Sequence, residues 1–556
     1  MRQACPIMDF RALLQNQWFQ LCLLVALLSG GASVFNLAKP GPLPPAPPGP
    51  TPLPRPSPQP APTTSFSKLK PKTAGRWIVD ASGAGDADSR TLAMVIANVS
   101  DGDIVTVRPG DYFEGIVLTK NVRLVGQPSG NTAPTLHAQG VNTVEINAKN
   151  VGLENLRLEQ DTPGDRKTLR VAGGSQVELV NCQLRSKSTF CATVTDNATL
   201  TARDCLFQSV NGGSALQFEN DAHGNLTRCT FSQSRWGLAA AQRAQVEAAD
   251  CTFQNLGLPT GGGATLAVEG GKAEINARRC RFTGNTAGIL AKESASLALY
   301  DCVVSNSGVT GETGNTSIGC ISAQAGARVV VKGGSFENNK QGIIARNGCT
   351  MRLERVQIRG CGLVTENGSL LFDCNSVAAF GQGCTLQITG SSIADSINYS
   401  VVVTGGAQVN MIESTISNAG ADGLVIGSST DGGSKATLNN VKVLGARDSC
   451  IWVNSGSEIE MQTCQLSGAV KFGLCVEGEN SRAQVANSIV SSNRDIGLGA
   501  YSGATLTATG CTLEGNARGA QAGVGSGGAS GEQSPWKTAR SAATRFSASV
   551  PAGIRC

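Results

Sequence analysis

Few residues in this sequence have both the type and the spacing that catalytic chemistry needs. The chain contains two histidines and nineteen cysteines. The histidines are His137 and His223, and the second, in an Asp221-Ala-His223 turn segment, is expected to be solvated. The cysteines form no short Cys/His cluster of the kind that holds a metal ion. The sequence therefore predicts no metal site and no cofactor, and it leaves any catalytic residues unidentified.

Many of the cysteines belong instead to a repeat in which apolar or small residues recur at positions i, i+2, i+5 and i+7. One copy consists of Val177, Leu179, Cys182 and Leu184. Every second residue of a strand points to the same face. The step of three between i+2 and i+5 therefore predicts that the chain turns a corner there. Two short strands meet at this bend, and both apolar pairs point inward.

The repeat returns mostly every 22 to 24 residues, and a third short strand follows each bend, as in residues 342–345 and 450–453. Three short strands per step are typical of one coil of a parallel β-helix, whereas a leucine-rich repeat would need a helical return. The sequence predicts an all-β, right-handed parallel β-helix, a single-stranded solenoid of about 16–18 coils of ~23 residues. A helix over 92–99, with Asp88 or Ser89 near its N-cap, is predicted to cover the N-terminal end.

One position of the repeat, i+5, is rich in cysteine. Equivalent inward positions stack between coils, so these residues are predicted to form a column of small core side chains. Parallel side-chain directions disfavour disulfides between them. Cys361 and Cys374 differ, because they bracket an insertion that a disulfide between them could close. The cysteines of the column are Cys182, Cys205, Cys229, Cys251, Cys280, Cys302, Cys464 and Cys511.

The two ends of the chain differ from the repeat in composition. Residues 18–38 are hydrophobic and follow two arginines, which fits either an uncleaved signal anchor or a cleaved signal peptide. Thirteen prolines lie in residues 40–62 and predict an extended spacer. The predicted segments are a leader (1–38), a proline-rich linker (39–75), the β-helix (76–515) and a Gly/Ala/Ser-rich disordered tail (516–556).

The formal charge of +5 is unevenly distributed along the chain. Residues 1–78 carry +7 and residues 515–556 carry +4, which leaves −6 for residues 79–514, nearly all of the predicted β-helix. A nucleic-acid groove needs clustered cations on the fold itself, so no nucleic-acid partner is predicted. The N-terminal segment predicts a single-pass membrane protein with the β-helix on the non-cytoplasmic side, or alternatively a secreted or periplasmic protein.

Residues 77–127 resemble the entry of the right-handed β-helix superfamily that includes pectin lyase-like enzymes and sugar-binding or sugar-hydrolysing repeat proteins. The similar residues are 101–114, DGDIVTVRPGDYFE, and 122–126, VRLVG. Gly110, Tyr112 and Glu114 match the GxYxE element of pectin methylesterases, and residues 160–162 are similar to part of their QDT element. The later esterase elements and the NTD, DD, GHG and RIK elements of polygalacturonases are missing. The resemblance implies the fold and sugar-related partners, but assigns no catalytic residue.

Three steps of the repeat are longer than the others. The extra residues fall near 254–264, 305–319 and 359–376, and each lies after the i+7 residue, so the three loops are predicted to leave the same corner and to form a binding patch. The predicted function is a non-catalytic binding or scaffold protein that contacts polysaccharide or a cell-surface protein. The alternative is a carbohydrate-active enzyme, either a polysaccharide lyase or a glycoside hydrolase.

Overall fold

The computed structural model describes seven parts of the chain, all within one compact unit that spans residues 66–556. These parts are residues 75–130, 132–258, 262–308, 319–362, 375–427, 433–523 and 546–549. The hydrophobic segment 18–38 and nearly all of the proline-rich linker lie outside them. No helix in the described parts has the length and apolar character that a membrane crossing requires.

The described chain winds through three sheets, named A, B and C in the order in which each coil visits them. Each strand pairs in parallel with the equivalent strand of the next coil, as in Val177↔Leu200 of sheet A. This is the predicted parallel β-helix, and sheets B and C each contain 17 described strands.

Sheet A has 19 strands, of which the last is antiparallel to its neighbour. Its strands are Arg76–Val79, Ile104–Val107, Arg123–Gly126, Asn150–Glu154, Gln176–Val180, Thr199–Arg203, His223–Thr227, Gln245–Ala249, Glu274–Arg278, Ser296–Tyr300, Arg328–Lys332, Thr350–Glu354, Thr385–Thr389, Gln408–Ile412, Lys435–Asn439, Glu458–Gln462, Arg482–Ala486, Thr505–Thr509 and Phe546–Ser549.

Sheet B follows sheet A after a tight turn in most coils. Its strands are Asp111–Tyr112, Thr135–Ala138, Arg157–Gln160, Gln183–Ser186, Leu206–Ser209, Thr230–Ser232, Thr252–Gln254, Arg281–Thr283, Val303–Ser305, Ser335–Glu337, Gln357–Arg359, Ser392–Ala394, Thr415–Ser417, Lys442–Leu444, Gln465–Ser467, Ile489–Ser491 and Thr512–Glu514.

Sheet C completes each coil and leads back to sheet A. Its strands are Ile116–Leu118, Val144–Ile146, Leu169–Val171, Phe190–Val194, Ser214–Phe218, Trp236–Ala241, Ala264–Glu269, Ile289–Lys292, Ile321–Ala323, Ile343–Arg346, Val377–Phe380, Val401–Thr404, Leu424–Ile426, Ile451–Val453, Phe472–Glu477, Ile496–Tyr501 and Arg518–Gly523.

The corner between sheets A and B explains the odd step in the repeat. One residue there, at position i+4, adopts a left-handed backbone conformation, as Asn181 does with φ 52° and Asp204 with φ 56°. Asn and Asp tolerate this region better than other non-glycine residues. The kink redirects the strand so that positions i, i+2, i+5 and i+7 all point inward, as predicted. Leu200, Ala202, Cys205 and Phe207 are accordingly buried.

The cysteine column lies inside this corner. Cys182, Cys205, Cys229 and their successors up to Cys302 are buried, free thiols. Their sulfur atoms lie against backbone carbonyls, as in the 3.4 Å contact from Cys182 Sγ to Leu153 O. Burial also raises the pKa of the Cys191 thiol, in sheet C, to about 12. The thiols of the column are thus small core side chains, as the repeat predicts.

A ladder of phenylalanines occupies the neighbouring i+7 position. Phe207, Phe231, Phe253 and Phe282 stack in consecutive coils with ring centroids 5.3, 4.7 and 4.6 Å apart. Offset stacking at this spacing adds to the burial of the rings. The coil spacing of a parallel sheet is itself close to these values, so the ladder follows directly from the fold.

A short helix caps the N-terminal end, but it is capped differently from the prediction. The helix spans Leu92–Ile96, and its N-cap residue, Thr91, makes no side-chain cap. Glu114, from the next coil, instead accepts hydrogen bonds from the backbone N–H groups of Leu92 and Ala93, both at 2.7 Å. Asp88, proposed near the N-cap, accepts from the Ile78 N–H. A sequence-local search for a cap could not find a carboxylate from another coil.

The GxYxE residues thus have structural roles in this protein. Glu114 caps the helix, and the buried Tyr112 hydroxyl donates to the Arg108 carbonyl at 2.9 Å. Gly110 has φ +147°, a conformation that side-chain-bearing residues rarely adopt. The resemblance at this motif therefore reflects how the first coils are built.

The C-terminal end of the β-helix extends past the predicted boundary at 515. The last strand of sheet C, Arg518–Gly523, pairs with Ile496–Tyr501. Within the predicted tail, Phe546–Ser549 adds an antiparallel strand beside Thr505–Thr509. The Gly/Ala-rich composition of this region does not predict either strand, because backbone pairing does not require a distinctive side-chain pattern.

Candidate functional site on the outer face of sheet C

The outward-facing residues at the centre of each sheet C strand form one column along the rod. The first residues of this column after Val117 are polar, and Glu145 and Arg170 form an ion pair at 2.7 Å. From residue 239 onward the column becomes largely apolar. Its members, in register from coil to coil, are Val117, Glu145, Arg170, Thr193, Gln217, Ala239, Ala267, Leu290, Ser322, Ile344, Ala378, Val402, Val425, Trp452, Cys475, Gly499 and Gln521.

The apolar part of this column is buried although it faces away from the β-helix interior. Ile344, Ala378, Val402 and Val425 form a cluster separate from the main core, and each is at most 1% exposed. Single outward apolar residues are ordinary, whereas these four follow one another in consecutive coils and form a buried outer strip. This strip distinguishes the later coils of sheet C from the earlier ones.

Several aromatic side chains frame the strip. Phe380, Tyr399 and Trp452 pack against it, and Trp452 also contacts a second outer cluster that contains Phe472 and Tyr501. Phe472 and Tyr501 meet edge to face, with centroids 5.8 Å apart. With only 4% aromatic residues in the chain, their collection on one outer face is informative. Aromatic rings that are apolar on the face and polar at the rim suit recognition surfaces.

Charged groups lie beside these aromatic residues, at the corner between sheets B and C. The Lys471 ammonium donates to Asp448 at 2.8 Å, and the buried Asp422 carboxylate accepts from the Ser449 N–H at 2.8 Å. Burial, reinforced by the nearby Asp448 charge, raises the pKa of Asp422 to about 6. Burial and the same two carboxylates raise the pKa of Tyr399. A carboxyl group with a pKa near neutrality in such surroundings is a candidate acid or base.

The regular coils position these charges. The Lys471 N–H donates to the Asp448 carbonyl at 2.9 Å, and the Arg518 N–H donates to the Asp495 carbonyl at 2.8 Å. The side chains Asp448, Lys471, Asp495 and Arg518 therefore follow one another along the same corner with alternating charge. Opposite charges in adjacent coils attract, although exposed pairs of this kind contribute little to stability.

Buried asparagines hold the same corner from inside. Asn339 accepts from the Ser307 N–H at 3.0 Å and donates to the Val304 carbonyl at 2.9 Å. Asn285 makes the equivalent pair of bonds to Leu256 and Phe253. These amides satisfy backbone groups where the chain leaves the sheet B ladder. They anchor the starting points of two of the long loops.

The three long loops of the sequence analysis all join a sheet B strand to the next sheet C strand. They start after Thr252–Gln254, Val303–Ser305 and Gln357–Arg359. Part of each loop, namely 259–261, 309–318 and 363–374, lies outside the described residues, so a binding role for the loops stays a prediction. The Cys361 sulfur lies 3.5 Å from the Phe336 carbonyl. Cys374 lies outside the described residues, and its bridge to Cys361 also stays a prediction.

The structure separates the two histidines. His223 is exposed at the start of a sheet A strand, and Asp221 beside it pairs with Arg243. His137 lies on sheet B among three carboxylates. Neither this cluster nor the Asp422–Asp448–Lys471 group is apparent in the sequence, because their members lie in different coils. The sequence could have indicated these groups only through charged residues that lie about one coil length, 22–24 residues, apart.

Comparison with known proteins supports the fold. A family model described as "Right handed beta helix region" matches residues 168–311 and 376–532, more than half of the chain. The chain therefore belongs to the right-handed β-helix family, as the sequence resemblance implies. A search of curated protein sequences returned no significant match.

Solved structures resemble the chain at low identity. A mannuronic acid specific polysaccharide family 6 lyase from human gut microbiota is 13% identical, covers 66% of this chain and 83% of its own, and has a TM-score of 0.36. The GH87 α-1,3-glucanase catalytic unit of Streptomyces thermodiastaticus strain HF3-3 is 14% identical, covers 70% and 67%, and has a TM-score of 0.29. Tailspike protein 3 of bacteriophage CBA120 is 12% identical, covers 65% and 52%, and has a TM-score of 0.30. These likenesses concern the fold alone.

Proposed function

We propose that this protein is a binding protein, displayed outside the cytoplasm, that holds a polysaccharide along the outer face of sheet C without cleaving it. The observation that carries the proposal is the collection of half-buried aromatic side chains on this one face, namely Phe380, Tyr399 and Trp452. Carboxylates and a lysine lie next to them. Aromatic faces with adjacent hydrogen-bonding groups are what a sugar ring with polar edges and apolar faces requires.

The proposal predicts that binding depends on Trp452, which is partly buried and bridges the two outer clusters. Affinity electrophoresis of the full chain against a panel of neutral and uronic acid polysaccharides provides the assay. Trp452→Ala is expected to weaken binding about tenfold, which corresponds to ~1.4 kcal/mol.

Tyr300→Ala is the matched control, because Tyr300 is an aromatic residue on the outer face of sheet A, where it stacks on Arg278 at 4.4 Å. Unchanged retardation by Tyr300→Ala is expected. Equal loss in both variants, or no retardation of the wild type by any polysaccharide, would contradict binding on sheet C.

The second candidate function is a carbohydrate-active enzyme, a polysaccharide lyase or glycoside hydrolase. The specific observation that favours it is the pKa of about 6 for Asp422, beside Asp448 and Lys471. A depolymerisation assay with and without calcium separates the two functions. Product release that Asp422→Asn abolishes would establish the enzyme, whereas binding without release supports the non-catalytic function.

Display outside the cytoplasm rests on the hydrophobic segment 18–38 and the proline-rich linker that follows it. Reporter fusions after residue 75 provide the test. An enzyme that is active only after export, such as alkaline phosphatase, is expected to be active in this fusion and inactive when residues 1–38 are deleted. Membrane fractionation then distinguishes the anchor from the cleaved signal peptide.

A further inference from the structure

A second cluster of chemistry-bearing side chains lies on the outer face of sheet B, in the N-terminal coils. His137 lies on strand Thr135–Ala138, directly opposite Glu159 of the next coil, and Asp161 follows Glu159 by two residues. One nitrogen or oxygen atom from each of these three side chains lies within 4.8 Å of the other two. The three side chains are 18%, 20% and 23% exposed, so the cluster is sheltered but open to small ions.

The imidazole of His137 is held in a defined orientation. Its Nε2 atom lies 3.3 Å from Asp111 Oδ1, and the Phe113 ring stacks on it with centroids 5.1 Å apart. Nδ1 then faces Asp161 Oδ2 at 3.2 Å and Glu159 Oε2 at 3.6 Å. A carboxylate on the far nitrogen is the arrangement that orients metal-binding histidines.

The two carboxylate oxygens beside Nδ1 favour a cation at this position. If Nε2 donates its proton to Asp111, the lone pair of Nδ1 points at two carboxylate oxygens. Lys187 offsets part of the negative charge, but its ammonium binds the other oxygen of Asp161, Oδ1, at 3.0 Å and leaves Oδ2 facing Nδ1.

We propose that His137 Nδ1, Glu159 Oε2 and Asp161 Oδ2 bind one divalent transition-metal ion, of the class of Zn²⁺ or Mn²⁺. One imidazole and two carboxylates form a mixed nitrogen and oxygen donor set that such ions accept, whereas Ca²⁺ takes oxygen ligands. The ion joins side chains from two adjacent coils. Its binding therefore stabilises the N-terminal part of the solenoid by mass action. This site is independent of the proposed polysaccharide face on sheet C.

The test uses the full chain, freed of metal by a chelator and titrated with Mn²⁺ alone near pH 7.5. The loss of the free-ion signal in electron paramagnetic resonance measures binding, and thermal unfolding with Zn²⁺ measures stabilisation. The wild type is expected to bind one Mn²⁺ and to unfold at a higher temperature with Zn²⁺. His137→Ala and Asp161→Asn are each expected to weaken Mn²⁺ binding by about 100-fold, and Asp111→Asn by about tenfold.

His223→Ala is the matched control, because it removes the other histidine from an exposed position and should leave Mn²⁺ binding unchanged. None of the variants changes a cysteine, so any metal bound by cysteines contributes equally to every measurement. Equal Mn²⁺ binding by the wild type and His137→Ala overturns the proposal. So does a wild type that binds no Mn²⁺ while ¹⁵N spectra show both nitrogens of the His137 ring protonated, since a second proton then supplies the positive charge.

Discussion

The outer face of sheet C differs between the first coils and the later coils, although the interior behind it follows the same pattern. In the early coils its central column carries Glu145, Arg170, Thr193 and Gln217, as expected of a surface in water. In the later coils the same column carries buried apolar residues such as Ala378 and Val402. The solenoid needs only its inward residues to be apolar.

This difference identifies outer residues that the β-helix itself does not require. A polar outer column satisfies the β-helix completely in the first coils, where Glu145 and Arg170 pair with each other. The apolar column with its aromatic frame is therefore an addition that the fold does not require. The half-buried Phe380, Tyr399 and Trp452 pack against the buried apolar residues of this column, so the later coils of sheet C are where function is expected.

The largest effect is expected from a charge placed in the apolar column. Val402 is 0% exposed, and an unpaired buried carboxylate is strongly destabilising. Val402→Asp is therefore expected to lower the free energy of unfolding by about 4–5 kcal/mol. Thr193→Asp, at the equivalent position of an early coil, should change it by less than about 0.5 kcal/mol. Urea unfolding monitors both, and similar effects would mean that the two faces do not differ.

The comparison also assumes that the interior is packed alike in both regions. Leu184 and Leu466 occupy the same i+7 position in an early and a late coil, and both are 0% exposed. Each leucine-to-alanine change leaves a cavity and is expected to lower the free energy of unfolding by about 3–4 kcal/mol. A clearly smaller loss at Leu466 in the same unfolding assay would show that the outer strip, rather than the interior, dominates the later coils.

The charged group of the later coils should make stability depend on pH. Asp422 is buried next to Asp448, Lys471, Ser449 and Tyr399, and its pKa is raised to about 6. An ordinary unfolded Asp has a pKa of ~3.9, so the folded state holds this proton more tightly. The stability that this group contributes is complete below the unfolded pKa and is lost as the pH rises through about 6.

Asp422→Asn should remove this dependence. Measured against the wild type, the free energy of unfolding of the variant is expected to rise by about 2–3 kcal/mol between acidic and mildly alkaline pH. Thermal unfolding across that pH range provides the measurement. Parallel pH profiles for the two proteins would show that the Asp422 carboxyl is solvated and would remove Asp422 as a candidate acid or base.

The smallest effect is expected at the N-terminal cap, where the early coils use an outer carboxylate for structure. Glu114 accepts two helix N–H bonds at 2.7 Å, so Glu114→Ala should lower stability by about 1–2 kcal/mol. Hydrogen exchange is expected to accelerate at the Leu92 and Ala93 amides in particular. Unchanged exchange there would remove the structural explanation of the GxYxE match.

The sequence by itself determined the fold, the inward register and the cysteine column. The physical reason is that each coil repeats the same local requirement: two apolar pairs separated by one left-handed residue, as at Asn181. Such a pattern is recognisable within about eight residues, and it restricts the interior positions to apolar or small side chains. Even the phenylalanine ladder follows once the i+7 positions are aligned.

Only the tertiary structure decided which outward residues meet. His137 faces Glu159 and Asp161, and Lys471 reaches Asp448, because the chain lengths between them bring these positions into register across coils. Glu114 caps a helix from a different coil for the same reason. The fold does not restrict the residue type at outward positions, so no local sequence pattern predicts which outward side chains are in contact. The interior of this solenoid can thus be predicted from each repeat, whereas its candidate sites form only when the repeats stack.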